Sequence, residues 1–172
     1  MRKLLATICM MGLTAMPAAA QDVLNEIVKS SLSIVNDTTQ AMEVRKVAIF
    51  KYDAMTYLRS KVMQPADLLS KDVNLSQVNN DVKMLNEQAY AMNQYVDLFL
   101  KRMAETKKKN RYVVNNLFKE TTYDNRKFND PDAELTMAYY LRDDYPIQFC
   151  LDCDWVKALE HIRTFDWNRV GK

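Results

Sequence analysis

The chain has 172 residues, with 24 basic and 22 acidic side chains, a formal net charge of +2, one histidine and two glycines. Near-neutrality removes the electrostatic argument for a nucleic-acid partner, which is met first through its phosphates. The scarcity of glycine excludes phosphate-cradling loops and dinucleotide fingerprints, whose tight turns need glycines in fixed register.

The opening stretch, MRKLLATICMMGLTAMPAAAQD, has the three-part layout of a secretory signal. Arg2 and Lys3 form a basic front, Leu4 to Met16 is an uncharged apolar run, and Ala18 to Ala20 offer small residues to a signal peptidase. The run is 13 residues long, short of the roughly 20 that a membrane-spanning helix needs. Residues 1–20 are predicted to be a signal peptide cleaved before Gln21. Cys9 leaves with it as an apolar filler, because Ile8 stands where a lipid anchor wants a small residue. The product is then periplasmic or secreted. Cleavage takes two basic residues and no acid, leaving 22 of each, and Gly171 as the remaining glycine.

Residues 21–172 are of single-domain size, and a chain of this length buries roughly 70% of its unfolded surface without a disulfide framework. Abundant Ala, Leu, Met, Lys, Glu and Gln favour helices joined by short polar loops. The predicted class is all-α. An antiparallel helical bundle with long coiled-coil-like helices, about 21–120, would carry an aromatic-rich C-terminal cap, about 130–172.

In chain order, Asp22 caps a first helix whose apolar face runs Leu24, Ile27, Val28, Ser31, Leu32 and Val35. NDTT from Asn36 is a break. Asp37 and Gln40 have capping-box spacing and are expected to start a second helix. Its face is Val44, Ala48, Tyr52, Met55, Leu58 and Val62, widened by Val47, Ala54 and Tyr57, and Pro65 ends it. Gln64 to Asn74 is a connector, and Asn74 with Gln77 again has capping spacing. Leu75, Val78, Val82, Leu85, Ala89, Met92, Val96, Phe99 and Met103 then recur in alternating steps of three and four. Such a seam marks a helix of roughly 43 Å packed nearly parallel to another. The second helix is the expected antiparallel partner, and a homodimer through Leu75–Met103 is the alternative. The seam fails at Thr106 and Asn110. Val113, Val114, Leu117 and Phe118 restart an apolar face, and Lys119 to Asp132 is expected to be a loop. Asp130 before Pro131 predicts a helix start, with a short helix through Ala138 to Leu141. A last helix is expected from about Asp154 to Asn168. Nine of the seventeen aromatics fall in the last fifty residues.

Four features bear on function. Cys150 and Cys153, in CLDC, have a spacing that brings Cα atoms within disulfide reach, and an exported protein meets an oxidising compartment. A structural bridge before the last helix is the expectation. A redox pair is the alternative, with the acids Asp152 and Asp154 and the lack of a βαβ context against it. Cys150, Cys153 and His161 give a bare zinc set whose spacing fits no zinc signature. KKKNR, Lys107 to Arg111, reads as a solvated segment, with acidic headgroups or an acidic partner as the other option. Trp167, Phe165 and Tyr145 are the candidates for an exposed aromatic ledge that receives a partner, while Trp155 belongs to the core.

No nucleophile and base are assembled around the single histidine, and no cofactor is expected. The sequence predicts a non-enzymatic, exported binding or scaffolding module of the cell envelope whose partner is another envelope protein. An enzymatic reading rests on the cysteines alone, as a thiol–disulfide oxidoreductase or redox sensor, and a zinc-binding protein is the third reading.

Overall fold

The computed structural model describes residues 22–63 and 74–167; the predicted signal peptide, most of the Gln64–Asn74 connector and residues 168–172 lie outside them. The described residues are all-helical, with no strand. Six α-helices follow one another: α1 (Val23–Asn36), α2 (Met42–Val62), α3 (Leu75–Glu105), α4 (Arg111–Asp124), α5 (Ala133–Thr136) and α6 (Trp155–Thr164), with a 3-10 turn at Lys108–Asn110 before α4. Among these residues no helix is long and apolar enough to cross a membrane.

Short side chains that satisfy orphan amides set several boundaries. Asp22 accepts from Asn25 N at 3.2 Å, Asn74 from Ser76 N and Gln77 N, and Asp154 from Lys157 N at 3.3 Å. Three boundaries differ from the sequence reading. Asp37 does not cap α2, because its carboxylate is taken by Thr39 N, Thr39 Oγ1 and Gln40 Nε2 in a turn; α2 starts after Ala41 with no side-chain cap. Asp132, not Asp130, caps the short helix, accepting from Leu135 N at 3.0 Å, and that helix covers Ala133–Thr136 instead of running from Pro131 on through Ala138 to Leu141. The expected loop from Lys119 is helical through Asp124. The hydroxyls of Thr121 and Thr122 bond back to the carbonyls of Leu117 and Lys119 at 2.7 Å and so accommodate themselves to the helix.

The pairing of elements is broader than one seam. α1 lies along α2, and α3 contacts α1, α2, α4 and α6. Leu85, Ala89, Met92, Val96 and Phe99 of the seam are buried, whereas Leu75, at its start, is 73% exposed. Leu24 N donates to Asn86 Oδ1 at 3.0 Å and ties the first turn of α1 to α3. Phe50 lies off the stripe predicted for α2 yet is fully buried, and Val44, on that stripe, is exposed.

The reason lies in the C-terminal region. Ile147 to Cys153 is not helical, yet Ile147, Phe149, Cys150, Leu151, Asp152 and Cys153 are all buried. Phe149 of this strap meets Phe50 of α2, Tyr95 and Phe99 of α3 and Phe118 of α4, with ring centroids 5.7, 5.3, 5.0 and 6.3 Å away. Trp155, the first residue of α6, adds edge contacts to Phe50 and Tyr95. Edge-to-face packing of this kind contributes about 0.5–1.5 kcal/mol per pair beyond area burial. The aromatic-rich C-terminal region therefore enters the core rather than resting on it, and one hydrophobic cluster runs from Leu24 to Ile162.

Trp155 is fully buried, and its Nε1 has no acceptor among the described residues. Trp155→Ala is expected to lower unfolding free energy by about 3–5 kcal/mol, as large aromatic truncations do. Trp155→Phe should cost less than half of that, since it forfeits area but no hydrogen bond. Trp167→Ala, at a partly buried ring, should fall below Trp155→Ala. Urea titrations followed by far-ultraviolet circular dichroism check the order.

Candidate functional site

A non-helical strap inside a helical core must find a partner for each backbone N–H. Cys150 N donates to Thr122 Oγ1 at 3.0 Å, Leu151 N to the Thr136 carbonyl at 2.9 Å, and Asp154 N to the Asn125 carbonyl at 2.8 Å. Trp155 N donates to Gln88 Oε1 at 2.7 Å, and Gln88 Nε2 donates to Asp154 Oδ1 at 2.9 Å, so one buried amide of α3 joins both residues at the start of α6.

Three aspartates complete the arrangement. The fully buried carboxylate of Asp152 accepts from Lys127 N at 3.1 Å, Phe128 N at 2.9 Å and Asp130 N at 3.1 Å, with Arg126 Nη2 3.6 Å away. It thereby organises the loop in which Asn129 takes a positive φ of 53°. Asp130, also buried, accepts from Tyr57 Oη at 3.1 Å and Asp132 N at 2.9 Å and pairs with Lys61 Nζ. The hydrogen bond from Lys61 is the main reason that its carboxyl stands below the usual range. Asp154 is pulled both ways. Burial raises its pKa, but the hydrogen bond from Gln88 and the charges of Lys127 and Lys157 outweigh that and lower it. Burial also pushes the Tyr57 hydroxyl well up, with Asp152 and Asp130 adding to the effect.

The cysteines are free thiols, both buried. The expected bridge is not formed in the structure, where each residue's backbone amide is held separately, Cys150 N on Thr122 and Cys153 N on the Leu151 carbonyl. Burial pushes the Cys150 thiol up to about 11, and it pushes Cys153 well above its ordinary value, reinforced by Cys150, Asp154 and Asp152. His161 lies exposed on α6. Among the described residues no three His, Cys, Asp or Glu side chains gather around a cation site, so Cys150, Cys153 and His161 are not brought together as zinc ligands.

The ledge residues fall into two groups. Phe165 and Trp167 pack on each other, and Trp167 reaches Phe118, lies under the Arg102 guanidinium at 4.5 Å and donates from Nε1 to the Ile162 carbonyl at 3.2 Å. Tyr145 instead packs on Tyr139, with Lys46 and Arg142 over its ring.

Apart from the exposed Tyr90 of α3, an exposed aromatic surface lies on the outer side of α4. Tyr112 is 66% and Tyr123 43% exposed. Tyr123 lies 5.7 Å from Tyr140, Lys119 Nζ sits 4.4 Å over the Tyr140 ring, and Tyr140 Oη donates to Glu120 at 2.8 Å. Arg126 lies 6.0 Å over Tyr123. Beyond it, the end of α4 and the start of α6 enclose an open polar recess of about 370 Å³, lined by Arg126, Lys127, Lys157, Asp124, Asp154 and Phe128 among others. The strip is hidden in the sequence because Thr121, Thr122 and Asn125 give the last turns of α4 a loop-like composition; its one signal is the spacing of Tyr112, Lys119 and Tyr123, seven and then four residues apart.

Comparison with protein-family models, with curated proteins and with solved structures finds no match for the chain.

Two substitutions test the strap. Asp152→Asn keeps the shape but places an amide donor against one of the amides now bound to Oδ1 or Oδ2, and each orphaned buried donor costs about 1–3 kcal/mol. Hydrogen exchange at Lys127, Phe128 and Asp130 should accelerate. The lowered Asp154 pKa means that its carboxylate stabilises the fold above the unfolded value near 3.9 and loses that contribution as pH falls through the lower folded value. Asp154→Asn should therefore cost most at pH 7, and its gap from the parent in urea midpoint should narrow towards pH 3.

Proposed function

We propose that this protein is an exported, non-enzymatic helical module that binds or scaffolds another protein in the cell envelope. One observation supports the reading above others. Of the groups best suited to chemistry, Asp130, Asp152, Gln88 and the two thiols are buried around the strap and Asp154 is half-buried beside them, with the carboxylates and Gln88 engaged in hydrogen bonds there, whereas exposed aromatic and basic groups line the outer side of α4. We further read the helices as an antiparallel bundle in which α3 is a coiled-coil-like member whose seam closes within the chain, an arrangement favoured by the burial from Leu85 to Phe99. Cleavage before Gln21 and delivery to the periplasm or medium belong to the same proposal.

Burial of both thiols weighs against exchange chemistry, because the thiolate is the reactive form. At pH 8 the native protein should leave Cys150 and Cys153 unlabelled by a maleimide on a timescale that labels both fully in guanidinium. Rapid native labelling, with a dithiol potential in the range of about −120 to −270 mV of working oxidoreductases, would replace this reading with the redox one. N-terminal sequencing of the protein recovered from the envelope fraction should begin at Gln21. Recovery from the cytoplasm with Met1 retained would overturn the envelope assignment.

A further inference from the structure

Between Lys107 and Lys127 the chain carries seven basic residues against two acids, Glu120 and Asp124, a net of +5 in a protein whose total is +2. Lys107, Lys108, Lys109 and Arg111 are exposed at the start of α4. Tyr112, Lys119 and Tyr123 follow along one stripe of that helix, since seven and eleven residues bring the helix back to within about 20° of the same direction. The stripe is about 16 Å long at 1.5 Å per residue, and Arg126 and Lys127 continue it to the rim of the recess. We propose that this strip docks the protein on an anionic phospholipid bilayer. The proposal rests on the envelope reading and specifies which surface of the molecule meets the membrane.

Three observations select a bilayer over other anionic partners. The strip is the convex outer side of a helix, which suits a broad surface, whereas a bound peptide needs a groove or a sheet edge. Its aromatics are tyrosines, whose amphipathic rings favour the headgroup level. The rings of Tyr123 and Tyr140 are also engaged: Lys119 sits over Tyr140, and both Arg126 and Tyr140 contact Tyr123. Nucleic-acid bases need open ring faces on which to stack, while a headgroup layer needs only the hydroxyl edges and the surrounding cations. Basic residues next to an acidic leaflet add to binding roughly in proportion to their number.

The test is co-sedimentation of the protein recovered from the envelope fraction with phosphatidylcholine vesicles, with and without phosphatidylglycerol. Binding should need phosphatidylglycerol and weaken as salt rises. Replacing Lys107, Lys108 and Lys109 by Glu should reduce partitioning on the order of 100-fold or more. Tyr112→Ser with Tyr123→Ser should reduce it several-fold without changing the charge, and thermal unfolding by circular dichroism should show both variants folded. Three results overturn the proposal: no binding to phosphatidylglycerol vesicles, full binding by the tyrosine variant, or tighter binding of poly-uridylate or poly-glutamate than of vesicles. Those failures leave the envelope reading standing, because that reading is decided by the start and compartment of the recovered chain.

Discussion

A buried amide without an acceptor is costly, and the strap from Ile147 to Cys153 brings a run of them into the centre of a helical protein. The surrounding polar groups follow from that constraint. Thr122 bonds its own helix through Lys119 and still offers its oxygen to Cys150. Gln88, on the middle of α3, is 3% exposed and would be misplaced in a plain helical seam, yet it holds the first turn of α6. Phe149 is what the strap supplies in return, a ring that contacts aromatics from three helices.

The same arrangement divides the molecule chemically. Its inner carboxylates and thiols are surrounded by donors and apolar rings, while α4 has two different sides. Val114, Phe118, Thr121 and Thr122 face inward and are buried; Tyr112 and Tyr123 face outward. One fourteen-residue helix thus contributes both to the core around Phe149 and to the basic, tyrosine-bearing exterior.

The sequence is informative where a periodic rule applies and silent where a local bond overrides it. Asp22, Asn74 and Asp154 were readable as caps because each stands before an apolar period of helical spacing. Asp37 and Asp130 have the same look but serve other donors, Thr39 and Gln40 in one case, Tyr57 and Lys61 in the other. The strap had no readable period, because a short irregular segment with nearly every residue buried shows no alternation. Asp152 ran against the ordinary expectation that a carboxylate between two cysteines is solvated, and only tertiary structure brings the amides of Lys127, Phe128 and Asp130 to it. The outer stripe of α4 was hidden by Thr121, Thr122 and Asn125, poor helix formers whose side chains here bond back along the helix.

The order of the chain gives the strap a further consequence. Its partners lie far upstream: Gln88 is 67 residues before Trp155, and Thr122 is 28 before Cys150. Until residues 147–162 emerge from the ribosome, Phe50, Tyr95, Phe99 and Phe118 lack the ring they pack around. Helices form early from local contacts, but tertiary closure with such distant partners comes late and is intrinsically slower. The nascent polypeptide therefore cannot close its core until residues 147–162 have been made, however early its upstream helices form.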